Sequence, residues 1–117
     1  MNKYLNLNKS FINGQWVNGD EGEAVDLVNP YNDDILAKVE LASINQVNEA
    51  FSGARNVQKS WGQDSENRKI VMKQATEYFK NNKETIMELL TLESGSTQVK
   101  AGLELDLTIG IWKKQSI

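Results

Sequence analysis

Phe11-Ile12-Asn13-Gly14-Gln15-Trp16-Val17, then Val25-Asp26-Leu27-Val28-Asn29-Pro30-Tyr31, then Ile35-Leu36-Ala37-Lys38-Val39 is the stretch that decides the fold. Phe11-Ile12 leads into Asn13-Gly14, where glycine permits positive φ, and Gln15-Trp16-Val17 resumes the extended pattern. A tight hairpin follows from that order. Asn18-Gly19-Asp20-Glu21-Gly22 is a polar, glycine-bearing loop. A second strand ends at Asn29-Pro30, because proline holds the preceding residue extended and cannot donate to a ladder. Asn32-Asp33-Asp34 is a turn of side chains that tolerate left-handed backbone, and Ile35 to Leu41 forms a third strand.

From Ser43 the apolar period lengthens from two to nearly four. Ser43-Ile44-Asn45-Gln46 has the form of a capping box. Behind it Ile44, Val47, Ala50, Phe51, Ala54, Val57 and Trp61 share one helical face, and Gly62 is expected to end that helix. Asp64 or Ser65 caps a second helix carrying Ile70, Val71, Ala75, Tyr78 and Phe79, with Glu66 and Lys69 as an exposed pair. Asn81-Asn82 interrupts it. A third helix runs through Ile86, Met87, Leu89, Leu90 and Leu92 to Gly95. Thr97 caps a fourth, in which Val99, Leu103, Leu107 and Ile111 recur every four residues. The fold class is therefore α/β: a strand segment over 1–42 and three to four amphipathic helices over 43–117, read as one domain because the join is short and not rich in Gly or Pro. No internal repeat or low-complexity segment interrupts it.

Composition narrows the chemistry. The 117 residues suffice for one core, and 39% hydrophobic with 25% charged residues is ordinary globular composition. The net charge of -3 and the dispersal of 13 basic residues argue against a nucleic-acid partner. With no Cys and no His, the chain has no thiolate nucleophile, no disulfide and none of the commonest general bases or metal ligands. Met1 to Lys9 lacks the apolar run of a signal peptide, and no stretch approaches a membrane span, so a cytoplasmic location is expected.

The order of these elements resembles the start of an aldehyde dehydrogenase. That family opens with aromatic-Ile-Asn-Gly-x-Trp-Val, a polar loop, a strand ending in Asn-Pro, a turn, and a strand reading into Val-x-x-Ala-Ser. Phe11 to Val17, Asn29-Pro30 and Val39-Glu40-Leu41-Ala42-Ser43 are similar in sequence and order. Val47 to Ala54 resembles the family's first helix, Trp61 the tryptophan ending it, and Arg68 the arginine opening the next. Leu92-Glu93-Ser94-Gly95 resembles the Leu-Glu-x-Gly turn, and Glu104 a glutamate of the fourth helix. Each motif is weak alone; their order across nearly the whole chain is specific. Two departures stand out. Ser96 occupies the place of the family's usual lysine, and the tail Ile111 to Ile117 departs from the family's small and aromatic residues, which reads as truncation or frameshift.

The resemblance implies the first part of a coenzyme-binding domain, in an enzyme that oxidises aldehydes to carboxylates with NAD or NADP and forms dimers or tetramers. In that chemistry a cysteine thiolate attacks the carbonyl, hydride leaves to the nicotinamide, and a glutamate activates the hydrolytic water. The equivalents of all these residues fall beyond residue 117, so no catalytic or cofactor-binding residue is assigned here. The isolated chain is expected to be inactive and without NAD. The resemblance also implies a K+ or Na+ site, using main-chain oxygens at Leu27 and Val28 and the carboxylate of Glu93. An alternative from another class is a small stand-alone helical module that binds a protein partner.

Other candidates weigh less. Asp33-Asp34 reads as a solvated turn rather than an acid/base pair, and Gly19 to Gly22 lacks the following helix and Lys of a phosphate loop. Phe51, Trp61, Tyr78 and Phe79 read as core rather than a stacking platform. Lys113-Lys114 reads as a helix end, and Arg68 as a bridge between helices.

Overall fold

The structure, a computed structural model, describes residues 8–115; residues 1–7 of the N-terminal segment, and Ser116 and Ile117 of the tail, lie outside them. The described residues form strands β1 (Ser10–Ile12), β2 (Gln15–Val17), β3 (Ala24–Val28) and β4 (Ile35–Glu40), then helices α1 (Ile44–Gln63), α2 (Ser65–Asn81), α3 (Lys83–Ser94) and α4 (Gln98–Gln115). They divide into two compact units, Met1–Ser60 and Trp61–Ile117.

In the first unit β1 and β2 pair antiparallel, with Phe11 opposite Trp16 and Ile12 opposite Gln15. Asn13 and Gly14 take φ of 50° and 81°. Two consecutive positive φ values mark the primed turn whose twist suits a two-residue hairpin. The Phe11 and Trp16 rings meet with centroids 5.0 Å apart, a cross-strand aromatic pair. Asn13 leans on α1: its Oδ1 lies 1.8 Å from where a Cβ on Gly53 would stand, so only glycine admits that approach.

β3 and β4 form a separate antiparallel pair in which Asp26 faces Lys38, joined by a 2.6 Å ion pair. Between them Asn29 organises the turn. Its Oδ1 accepts from the Tyr31 amide at 2.9 Å, its carbonyl from the Asp33 amide at 2.9 Å, and its own amide donates to the Asp34 carbonyl at 2.9 Å. Asn29 is accordingly buried although polar. Proline at position 30 is tolerated because no ladder bond is asked of it.

The strand-to-helix junction is tied by one side chain. Both halves of the capping box form: the Gln46 amide donates to Ser43 Oγ and the Ser43 amide to Gln46 Oε1, each at 3.2 Å. The same carboxamide holds the 18–20 loop, with Nε2 donating to the Asn18 carbonyl at 2.8 Å and Oε1 accepting from the Asp20 amide at 3.1 Å. Gly19 lies against the main chain of Glu40 and Leu41, where a Cβ would stand 2.2 Å from the Leu41 oxygen.

In the second unit three helix ends are closed as their residues predict. Asp64 Oδ1 accepts from the Asn67 amide at 3.0 Å, Thr97 Oγ1 from the Lys100 amide at 3.2 Å, and Gly95 ends α3 in the left-handed region at φ 66°. Asn82 separates α2 from α3, its Nδ2 donating to the Tyr78 carbonyl at 2.8 Å. Helix α4 lies against both α2 and α3. Ala101 and Leu105 are buried there, Phe79 meets Trp112 edge-on at 5.2 Å, and Lys83 pairs with Asp106 at 2.5 Å. The exposed Glu66–Lys69 pair forms at 3.5 Å.

Three expectations need correction. Helix α1 runs through Gly62 to Gln63. Val99, Leu103, Leu107 and Ile111 form the exposed side of α4, while Ala101 and Leu105 form the buried one. Apolar residues recur on both sides of this helix, interleaved with Lys100, Glu104 and Asp106, so periodicity could not choose between its faces. Of the aromatic residues read as core, Phe79 is half-buried, but Phe51 is 73%, Trp61 42% and Tyr78 64% exposed. Phe51 and Trp61 stand on α1 and Tyr78 on α2, and among the described residues none of the three is buried.

Two glycines test this packing in opposite directions. Gly19→Ala is expected to cost about 1–3 kcal/mol by driving a methyl into the Leu41 carbonyl. Gly110→Ala, in helix with nothing within 4 Å of the new methyl, is expected to stabilise by about 1 kcal/mol. Urea unfolding followed by circular dichroism measures both.

Candidate functional site

The residues singled out for a cation sit where the chain departs from regular structure. A register shift interrupts the β3–β4 ladder between Leu27 and Val28. The extra residue is Leu36 on β4, since Leu27 pairs with Ala37 and Val28 with Ile35, so both of the β3 residues keep partners across the ladder. Glu93 is exposed in the last turn of α3, which carries no basic residue. A carboxylate beside the unpaired carbonyls of a helix C-terminus meets like-signed charge, and a nearby cation would relieve it. Leu27 and Val28 belong to the first unit and Glu93 to the second. Among the described residues no three His, Cys, Asp or Glu cluster to hold a metal.

The Leu92–Gly95 turn is internally bonded. Ser94 Oγ donates to the Leu90 carbonyl at 2.6 Å and lies 2.9 Å from Ser96 Oγ, and the Gly95 amide donates to the Thr91 carbonyl at 3.1 Å. Ser96, standing where the resembled family has lysine, is buried by this arrangement. Lys100 Nζ approaches its hydroxyl at 3.5 Å from the first turn of α4.

The remaining candidates resolve into structure. Asp34 Oδ2 accepts from Asn32 Nδ2 at 2.6 Å in a turn where Asp33 has φ 60°, so the two carboxylates serve the turn and do not converge. The Gly19 to Gly22 loop returns to strand, its Glu21 amide donating to the Leu41 carbonyl at 3.1 Å. Arg68 donates from Nη1 to the Trp61 carbonyl and, at 2.8 Å, to that of Gly62, capping the last turn of α1. Sequence could flag Arg68 only as a bridge; two free carbonyls beside a charged fork explain its place. Lys113 and Lys114 occupy the last turn of α4, favourable to its dipole. Glu77 has its carboxyl held below the usual range by a hydrogen bond from Lys80 and by that residue's charge. The folded state gains from this above the unfolded carboxylate pKa and loses it as pH falls through the lowered value; the pair is surface structure.

No described helix is long and apolar enough to cross a membrane. Between the hairpin and α1 an open cleft of about 500 Å³ is lined by Phe11, Asn13, Ala50, Gly53, Ala54 and Val57. The larger surface feature is apolar: Ile44, Val47, Phe51 and Val57 on α1, and in the second unit Ile70, Val71 and Tyr78 on α2, all stand exposed.

Comparison with known proteins agrees on one family. The profile described as "Aldehyde dehydrogenase family" matches residues 16–115. AldY of Bacillus subtilis (strain 168), provisionally named an aldehyde dehydrogenase, is 39% identical over 106 residues, 90% of this chain and 22% of that protein. Vanillin dehydrogenase of Corynebacterium glutamicum is 34% identical over 113 residues, covering 96% of this chain and 23% of its own. The crystal structure of an NAD-dependent benzaldehyde dehydrogenase from Corynebacterium glutamicum superposes with a TM-score of 0.87 at 36% identity, over 92% of this chain and 24% of that one. The chain thus spans about a quarter of the length of the relatives it matches.

The exposed faces generate an expectation of their own. The chain should bind an apolar fluorescent dye in native buffer. Phe51→Glu together with Val57→Lys should reduce that fluorescence while changing stability by no more than about 0.5 kcal/mol, as surface substitutions do; dye titration with parallel circular dichroism reads both.

Proposed function

Because this chain belongs to the aldehyde dehydrogenase family, we propose that it is the N-terminal part of an NAD-dependent enzyme that oxidises aromatic aldehydes to carboxylates, inactive by itself. One observation carries the reading: the family match runs across residues 16–115, yet these residues correspond to about a quarter of each relative and include no cysteine. Vanillin and benzaldehyde in the relatives' names supply the substrate class, and NAD comes from the benzaldehyde enzyme. The nucleophile, the general base and the cofactor loop are supplied by further sequence. Among the described residues no glycine loop joins a strand directly to a helix N-terminus, the arrangement that cradles a dinucleotide pyrophosphate. No residue here is therefore assigned to NAD. The chain's own contribution is the hairpin arm and the amphipathic helices, whose apolar faces the rest of the enzyme covers.

We extend the proposal to the alkali cation that the family resemblance implies at the main-chain oxygens of Leu27 and Val28 and the carboxylate of Glu93, supported by the exposure of Glu93 in a last turn without a basic residue. Cytoplasmic location and assembly into a dimer or tetramer belong to the same reading. No observation favours a stand-alone interaction module.

A chimera tests this. Residues 16–115 replace the matching segment of the Corynebacterium glutamicum benzaldehyde dehydrogenase, and NAD reduction with benzaldehyde is followed by absorbance. The chimera should turn over while the isolated chain gives no signal; reduction by the isolated chain, or a folded but silent chimera, would refute the assignment. Replacing K+ with a bulky organic cation should slow the chimera, and Glu93→Ala should abolish that difference. If both respond identically, the cation assignment is wrong.

A further inference from the structure

We propose that Asn13 is a site of spontaneous deamidation and that the fold shields the chain's other Asn-Gly pair, Asn18-Gly19. The two dipeptides are chemically alike, so sequence gives them equal lability. In the reaction the main-chain nitrogen of the following glycine, having lost its proton to hydroxide, attacks the asparagine Cγ. The new N–Cγ bond closes a five-membered imide, the Cγ–Nδ2 bond breaks, and the side-chain nitrogen leaves as ammonia after taking up a proton. One water then opens the ring at either carbonyl, giving aspartate or isoaspartate. No oxidant is involved, and the rate depends on whether the main chain between Asn and Gly can rotate to bring nitrogen to Cγ.

The structure separates the pairs on that requirement. At Asn18-Gly19 the main chain is fixed on several sides. The Asn18 carbonyl accepts from Gln46 Nε2 at 2.8 Å, the Asp20 amide donates to Gln46 Oε1 at 3.1 Å, and the Glu21 amide donates to the Leu41 carbonyl at 3.1 Å. Gly19 itself is backed against the Leu41 oxygen, too closely for a methyl group. Rotation there requires opening the Gln46 clamp. Asn13-Gly14 is instead the tip of the two-residue hairpin, closed by the Ile12–Gln15 pair on either side of it. Its two residues are exposed, and nothing lies within 4 Å of a methyl group built on Gly14. The Asn13 amide oxygen is pressed against the Cβ position of Gly53, and this side-chain contact, with no clamp on the main chain like that of Gln46, is the restraint the residue must leave to react.

Reaction at Asn13 has a structural consequence. Isoaspartate inserts a methylene into the main chain, and a two-residue primed turn cannot absorb it while keeping Ile12 opposite Gln15. The aspartate product instead sets a carboxylate against Gly53 in place of the carboxamide. Deamidation is therefore expected to loosen the arm from α1.

The test incubates the chain at mildly alkaline pH, in native buffer and in concentrated urea, with peptide mapping by mass spectrometry and enzymatic isoaspartate labelling. In native buffer Asn13 should deamidate about tenfold faster than Asn18, the rate ratio that one modest opening step imposes. In urea the two should converge. Gln46→Ala should raise the Asn18 rate toward that of Asn13. Equal native rates, or a faster Asn18, would overturn the proposal, as would a folded Gln46→Ala variant with Asn18 still protected. If that variant does not fold, the comparison of native buffer with urea in the unaltered chain still decides.

Discussion

Ile12, Ala101 and Leu105 are the buried apolar side chains among the described residues, and no large side chain is fully enclosed. With so little interior, burial cannot select the conformation as it does in a domain with its own core. Local hydrogen bonds take over that role, each contributing only about 1 kcal/mol net. Gln46 does the most: one carboxamide closes the start of α1 and fixes the loop that brings the chain from hairpin to second strand pair. Asn29 acts in the same way inside its turn, serving as donor and acceptor within five residues.

The exposed faces give the functional meaning of this thin interior. Helix α1 carries an apolar stripe with no buried residue, and α4 is apolar on the side facing α2 and α3 and on the opposite one. Apolar residues on two sides of one helix are more than packing against α2 and α3 uses. On the reading proposed above, in which this chain is part of an enzyme about four times longer, those faces are surfaces for further sequence to cover. These 117 residues contain no cysteine.

What could be read beforehand was whatever is encoded within four or five residues. Asn13-Gly14, Ser43 with Gln46, Asp64, Gly95 and Thr97 are turns and caps whose side chains satisfy nearby main-chain groups, so their sequence suffices to place them. The packed side of α4 was not legible, because Val99, Leu103, Leu107 and Ile111 repeat as regularly as Ala101 and Leu105. Phe51, Trp61 and Tyr78 were read as core on a correct period, which identifies a face but not whether anything covers it. The second role of Gln46, reaching back 28 residues to Asn18, depends on tertiary placement that no local pattern records. The proposed ion site rests on family resemblance, since two of its ligands would be main-chain oxygens common to every residue and the third a surface carboxylate, Glu93.

Folding leaves much of this chain's apolar surface in contact with water. Scanning calorimetry measures that through the heat-capacity change of unfolding, which follows the apolar area newly exposed. A domain of 117 residues with a complete core would show about 1.4–1.8 kcal/mol/K. A value well below that range, in a broad transition, is expected; a full-sized change in one sharp transition would contradict the account.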